Sequence, residues 1–253
     1  MDRVVTALVD QHAELADLVG GLDEAGWATP SRCEGWSVSD VLLHLAQTDQ
    51  MAFDSLSGRL AEGMSAWSEV LAQAGAANVD DGAGLMVERE RGAPGPAVYQ
   101  RWHTGATALV DAFEAGDLSR QVTWVVGELS ARTLASTRLA ECWIHTGDIA
   151  FGLGVELEPT DRLWHIARLA WRTLPYAFAQ AGRTLAGPVA FRLRAPNGDG
   201  WTFEAEDAPL TVVEGDAQEL CLVAGRRLPG AESDLTAEGP DAEAVLDVVR
   251  TFA

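Results

Sequence analysis

The stretch from Arg138 to Ala150, RLAECWIHTGDIA, constrains the fold more than any other part of the chain. Glu141, His145 and Asp148 recur at helical spacing and so share one face of a helix. Ile144 and Ile149 flank that stripe, and Leu139 and Trp143 occupy the opposite side. A polar stripe between apolar flanks is not a typical solvated face. The pattern points to a helix of a bundle with its charged groups turned inward, where they need partners or a metal ion. A second apolar segment, SDVLLHLAQ, carries His44 beside Val38, Val41, Leu42 and Leu45.

A carboxylate and an imidazole at i and i+4, joined by an imidazole from a facing helix, offer three legs of a divalent metal site. The mixed nitrogen and oxygen donors of His44, Glu141 and His145 suit zinc first, and three protein ligands leave a fourth position open for chemistry. Asp148 fits two roles, an acceptor for an imidazole N–H or a base and proton shuttle beside the open position. Each half also has a plainer reading. His44 alone reads as a half-buried core histidine, and Glu141 with His145 as an intrahelical ion pair. Spacing alone leaves open whether the two helices meet.

The rest of the chain is consistent with a bundle followed by a smaller unit. Residues 2–24 follow the 3.6-residue period and stop at Gly20-Gly21, and GWATPSRCEGW reads as a loop. Ser37 and Asp40 form a capping-box pattern, with Trp36 and Val41 placed as a hydrophobic staple; that helix is expected to run to about residue 61. Residues 63–97 are rich in Gly and Ala, with a short helix expected near 79–90 and a break at Ala93-Pro94-Gly95-Pro96. Further helices are expected over about 97–115 and 130–151, with TWVVGEL a short apolar run between them. After residue 155 the texture changes. A helix from Thr160 perturbed at Pro175, strand-like PVAFRLRAP, WTFEAED and PLTVVEG, a helix ending near Gly225 and a last helix, DAEAVLDVVRTFA, give an α+β unit. The expected fold is therefore mainly α, with a four-helix bundle over 1–155 and a small α+β domain over 156–253.

Composition narrows the function classes. The net charge is -20 and every basic residue is Arg, so the surface repels phosphate backbones and nucleic acid is not an expected partner. No apolar run approaches a bilayer span, and the N-terminus alternates charge with apolar residues, so a cytoplasmic protein without a membrane partner is expected. Cys33, Cys142 and Cys221 are scattered, odd in number and without CxxC spacing, which fits a reducing compartment. Cys142 points away from Glu141 and reads as core. His12, His103 and His165 lack partners at ligand spacing. Arg226 and Arg227 follow a helix, where Arg ordinarily caps; an acidic substrate is the alternative use.

The segments GWSVSDVLLHLAQ, RLAECWIHTGDIAFGLGV and EPTDRLWHIARLAWRT, with LCLVAGRR and the C-terminal DLTAEGPDAEAVLDVVRTFA, resemble the mycothiol-dependent maleylpyruvate isomerase family of the DinB-like superfamily. The likeness is to an uncharacterised actinobacterial metal-binding branch rather than to the isomerases proper. It implies a DinB-like four-helix bundle, a small α/β C-terminal domain, and a zinc held by His44, Glu141 and His145. It also implies a low-molecular-weight thiol such as mycothiol as co-substrate. The family's G-R element maps onto Arg226, the candidate clamp for an acidic substrate, with Arg227 one position away. The expected activity is zinc-dependent isomerisation or S-transfer on a small electrophile, in a monomer or homodimer. With water in place of the thiol, the same site suits a hydrolase or lyase; with the position closed, it is a non-catalytic metal-binding module.

Overall fold

The computed structural model describes residues 1–65, 67, 79–125 and 127–251. These fall into two compact units, Met1–Leu157 and Glu158–Ala253.

In the first unit the helices are α1 (Arg3–Val19), α2 (Glu24–Ala28), α3 (Val38–Leu56), α4 (Val79–Glu90), α5 (Gly95–Ala115) and α6 (Ala131–Leu153). Local chemistry sets their ends. The Asp2 carboxylate accepts from the Val4 amide at the start of α1. Ser37 and Asp40 complete a reciprocal capping box at the start of α3, as their spacing predicts. α3 stops at Leu56, short of the expected residue 61, because Gly58 turns the backbone to φ 69°. α6 starts on a Ser130 cap and ends at Gly154, which adopts the left-handed conformation at φ 68°.

α3 packs against α5 and α6, and α1 packs against α6 and α5, which makes a four-helix bundle. Its centre is filled by Leu8, Leu15, Leu42, Leu45, Trp102, Leu109, Leu139 and Ile149, all essentially inaccessible to water. Each such side chain contributes roughly 1.5–3 kcal/mol of burial energy. α2 overlaps the start of the segment expected to be a loop, taking Gly26, Trp27 and Ala28 from it. It is capped by Asp23 and presents Trp27 to Gly95, where a β-carbon would come within 2.1 Å of the indole. The TWVVGEL run is not merely a connector: β1 (Gln121–Trp124) and β2 (Gly127–Ser130) pair antiparallel around residue 126, which lies outside the described residues. Much of the Gly- and Ala-rich segment, residues 66 and 68–78, also lies outside them.

The second unit contains α7 (Leu163–Gln180), β3 (Val189–Arg194), β4 (Gly200–Phe203), β5 (Thr211–Asp216), α8 (Ala217–Ala224), a 3-10 turn (Gly230–Glu232), β6 (Thr236–Glu238) and α9 (Ala242–Val248). The sheet order is β4-β3-β5-β6, with β3 parallel to β5 and the outer pairs antiparallel. Val189, Phe191 and Leu193 of β3 face the core, and Arg192 and Arg194 face out. α7 runs through Pro175 and packs on β3 and β4, while α8 packs on α7. α9 is shorter than the pattern DAEAVLDVVRTFA predicts, stopping at Val248; residues 252 and 253 lie outside the described residues. The molecule is thus mainly helical, with a four-stranded mixed sheet in its C-terminal part. Among the described residues no helix is long and apolar enough to cross a membrane.

Candidate metal centre

α3 and α6 meet, and their polar residues converge. His44 Nε2 lies 2.8 Å from Glu141 Oε1, and His145 Nε2 lies 3.5 Å from the same oxygen. One donor atom from each of the three residues falls within 4.8 Å of the other two. Tetrahedral zinc with bonds near 2.0–2.1 Å has ligand-to-ligand edges of about 3.3 Å. The donor set and its spacing therefore fit a divalent ion without rearrangement of either helix. The His44 and His145 rings meet edge-on, with centroids 4.9 Å apart, and Trp36 lies tilted against His44 at 5.3 Å. Trp36 thus stands beside the site as well as at the entrance of α3.

Electrostatics set the protonation of the three. Burial disfavours charge on Glu141, but hydrogen bonds from His145 and His44 outweigh it and hold the carboxyl well below its usual range. Burial likewise opposes charge on His145. Its hydrogen bonds to Asp148, Cys33 and Glu141 prevail and raise it well above the ordinary imidazole value. His44 is lowered, chiefly by burial, against the pull of Glu141.

Asp148 is buried, and its Oδ2 lies 2.9 Å from His145 Nδ1, the ring nitrogen opposite the one facing Glu141. This is the geometry of a carboxylate that accepts an imidazole N–H and fixes the tautomer. The sequence pattern did not reveal two other neighbours. Cys33, in the loop before α3, donates its thiol proton to Asp148 Oδ2 at 3.2 Å. Arg138, one turn before Glu141, is buried on Asp49 of α3, with Nε 3.0 Å from Oδ1, and its Nη2 donates to Thr48 Oγ1 at 2.8 Å. Arg138 is three residues before Glu141 and so extends the inward stripe; that was its available signal. Cys33 had none, because only the folded loop carries it to α6. Cys142 is buried in the bundle core, and among the described residues His12, His103 and His165 join no metal-competent group.

The profile of the mycothiol maleylpyruvate isomerase N-terminal domain matches residues 8–150, which include His44, Glu141 and His145. The chain belongs to that family. Two relatives from Mycobacterium tuberculosis, the uncharacterized proteins MT0041 (strain CDC 1551 / Oshkosh) and Rv0036c (strain ATCC 25618 / H37Rv), are each 32% identical over 97% of this chain and 95% of their own length. The crystal structure of the mycothiol-dependent maleylpyruvate isomerase superposes with a TM-score of 0.59 at 19% identity, covering 94% of both chains. A histidine-to-alanine mutant of that enzyme gives 0.58 at 18%. The fold is therefore that of the isomerase over both units.

Arg226 and Arg227 lie in the second unit, just past α8. Arg227 Nη1 donates to Gly225 O at 2.9 Å, a helix-capping use. Arg226 is the one non-glycine among the described residues with positive φ, at 60°. Left-handed backbone costs a side-chain-bearing residue roughly 1–2 kcal/mol, and helices usually place glycine there.

Proposed function

We propose that the chain is a metal-dependent enzyme that uses a low-molecular-weight thiol, mycothiol-like, to isomerise or S-transfer a small electrophilic, acidic substrate. One observation carries this reading: two buried imidazoles and a half-buried carboxylate from distant segments converge in a chain that shares the isomerase's family and fold. His44, Glu141 and His145 would hold the ion, zinc by the chemistry of the donors. When bound, a divalent ion supplies Lewis acidity that lowers the pKa of a thiol or a water.

The protein's own groups supply the rest. Asp148 holds the His145 ring in one orientation through Nδ1. Trp36 keeps one side of His44 apolar. Arg226 is assigned to the substrate carboxylate on its backbone conformation and its match to the family's G-R element. Addition of a thiol across an electron-poor cis alkene leaves a single bond free to rotate; elimination then returns the thiol and the trans alkene. Proton transfer is needed at the carbon that does not bear sulfur, and Asp148 can serve it only through the imidazole it contacts.

The test is turnover of candidate unsaturated acids by metal-reconstituted protein with and without added thiol, alongside His44→Ala and Glu141→Ala. Turnover that requires both metal and thiol supports the proposal. Turnover by demetallated protein, or metal-dependent turnover indifferent to thiol, refutes it; the second outcome assigns the site to hydrolase or lyase chemistry. Arg226→Ala is expected to lower kcat/KM for acidic substrates while leaving metal content unchanged.

A further inference from the structure

A second set of donors lies on the other side of the His145 ring. Cys33 Sγ is 3.2 Å from Asp148 Oδ2 and 3.8 Å from His145 Nδ1, and the latter two atoms are 2.9 Å apart. Zinc with sulfur, nitrogen and oxygen ligands has edges of about 3.3–3.6 Å, given bonds of roughly 2.0–2.3 Å. The three atoms need shift only by tenths of an ångström to enclose an ion.

The loop that carries Cys33 is built to stay there. The Arg32 amide donates to Asp148 O at 3.1 Å, and the Trp36 amide donates to Cys33 O at 3.0 Å. Ser31 Oγ accepts from the Cys33 amide and donates to Trp36 O. Pro30 and Ser37 form an isolated bridge that closes the loop's base. α6 admits the loop through Gly152, where a β-carbon would sit 2.4 Å from Pro30 O.

We propose that Cys33, Asp148 and His145 Nδ1 form a second, sulfur-bearing locus for a thiophilic divalent cation, and that it competes with the His44–Glu141–His145 locus for the one imidazole. The charges favour it: a thiolate and a carboxylate cancel a dication, whereas one carboxylate and two neutral imidazoles leave a positive charge in a buried place. Sulfur makes it the softer of the two sites. The competition follows from the ring itself. A neutral imidazole has one unprotonated nitrogen, so ligation through Nδ1 moves the proton to Nε2, beside Glu141, and ligation through Nε2 returns it to Asp148. The assignment does not rest on any thiol-using activity.

Cadmium is the probe, since a cadmium–thiolate bond has its own ultraviolet charge-transfer absorption. Metal-free full-length protein is titrated with cadmium chloride, with bound metal counted by elemental analysis and folding followed by circular dichroism. Cys142 and Cys221 are 1% and 0% exposed, which leaves Cys33 as the accessible thiol. The band is expected to saturate at one cadmium per chain, to vanish in Cys33→Ser, and to persist in folded Glu141→Gln. No band in the unsubstituted protein, or one that survives in Cys33→Ser, would overturn the sulfur locus. Loss of the band in folded Glu141→Gln would make Cys33 a ligand of the first ion instead. Two cadmium ions per chain would overturn the competition. None of these readings depends on turnover, so failure of the proposed enzyme activity leaves them untouched.

Discussion

The two units solve the problem of a core in opposite ways. The second buries Val189, Phe191, Leu193, Val213, Leu220 and Val245, and its few buried polar side chains, Thr211, Asp241 and Thr251, bond to the backbone. Thr211 and Asp241 bond across 30 residues, and Thr251 leans on Ala224 O. The first unit buries Gln11, His44, Gln47, Asp49, Ser55, Arg138, His145, Thr146 and Asp148, all but Gln11 on α3 and α6. Among the described residues, every buried side-chain nitrogen or oxygen atom without a hydrogen-bond partner belongs to this unit: on Gln11, His12, Trp27, Gln47 and Trp102. Apolar packing is the cheaper way to hold helices together. A bundle that places so many polar groups at its centre gives up stability for the geometry of its site, while the sheet unit keeps to packing and concentrates its departure from low energy at Arg226.

The comparison breaks most completely if His44→Ala or Glu141→Ala still binds metal. Either change is expected to reduce retained metal by more than about 100-fold, beyond what loss of an outer hydrogen-bond partner does, read by elemental analysis after dialysis. Next in size is the buried ion pair. Asp49→Ala strands Arg138 and should cost about 3–5 kcal/mol of unfolding free energy, whereas Asp49→Leu combined with Arg138→Met should restore most of it. Chemical denaturation of the single and double variants decides this; a single variant as stable as the parent would deny that the bundle depends on its polar core. Asp148→Asn should weaken metal binding by roughly 10–100-fold without unfolding the chain, as measured by competition with a chelating dye. The smallest effect belongs to the other unit. Arg226→Gly should stabilise it by about 0.5–1 kcal/mol, relief of left-handed strain less the entropy glycine adds to the unfolded chain. Thermal unfolding checks this, and a destabilised variant would show that Arg226 is held there by structural contacts.

Much of this was legible in the chain before folding, for local reasons. Ser37 with Asp40, Gly154 after α6, and the helix over Val79–Glu90 are signals carried within a few residues. The inward stripe of α6 announced a buried polar site because no arrangement of that helix exposes Glu141, His145 and Asp148 without also exposing Ile144 and Ile149. What stayed hidden depends on residues far apart in sequence. α2 hides in a Gly-containing segment because its five residues owe their shape to the Asp23 cap and to Trp27 against Gly95. β6 spans three residues and takes its register from β5, with no alternation of its own. The partner of Arg138, Asp49, lies 89 residues away on α3, and Cys33 looked scattered because 115 residues separate it from Asp148.

His44 and Glu141 are 97 residues apart along the chain. An ion gripped by both acts as a removable cross-link between α3 and α6, and no such link can exist in the unfolded chain. Binding energy then becomes folding energy: at an ion concentration one hundred times the dissociation constant, the clasp adds about 2.7 kcal/mol to the bundle. The melting temperature of the first unit would report the supply of metal around it, so scarcity of the ion would limit how much of the protein is folded.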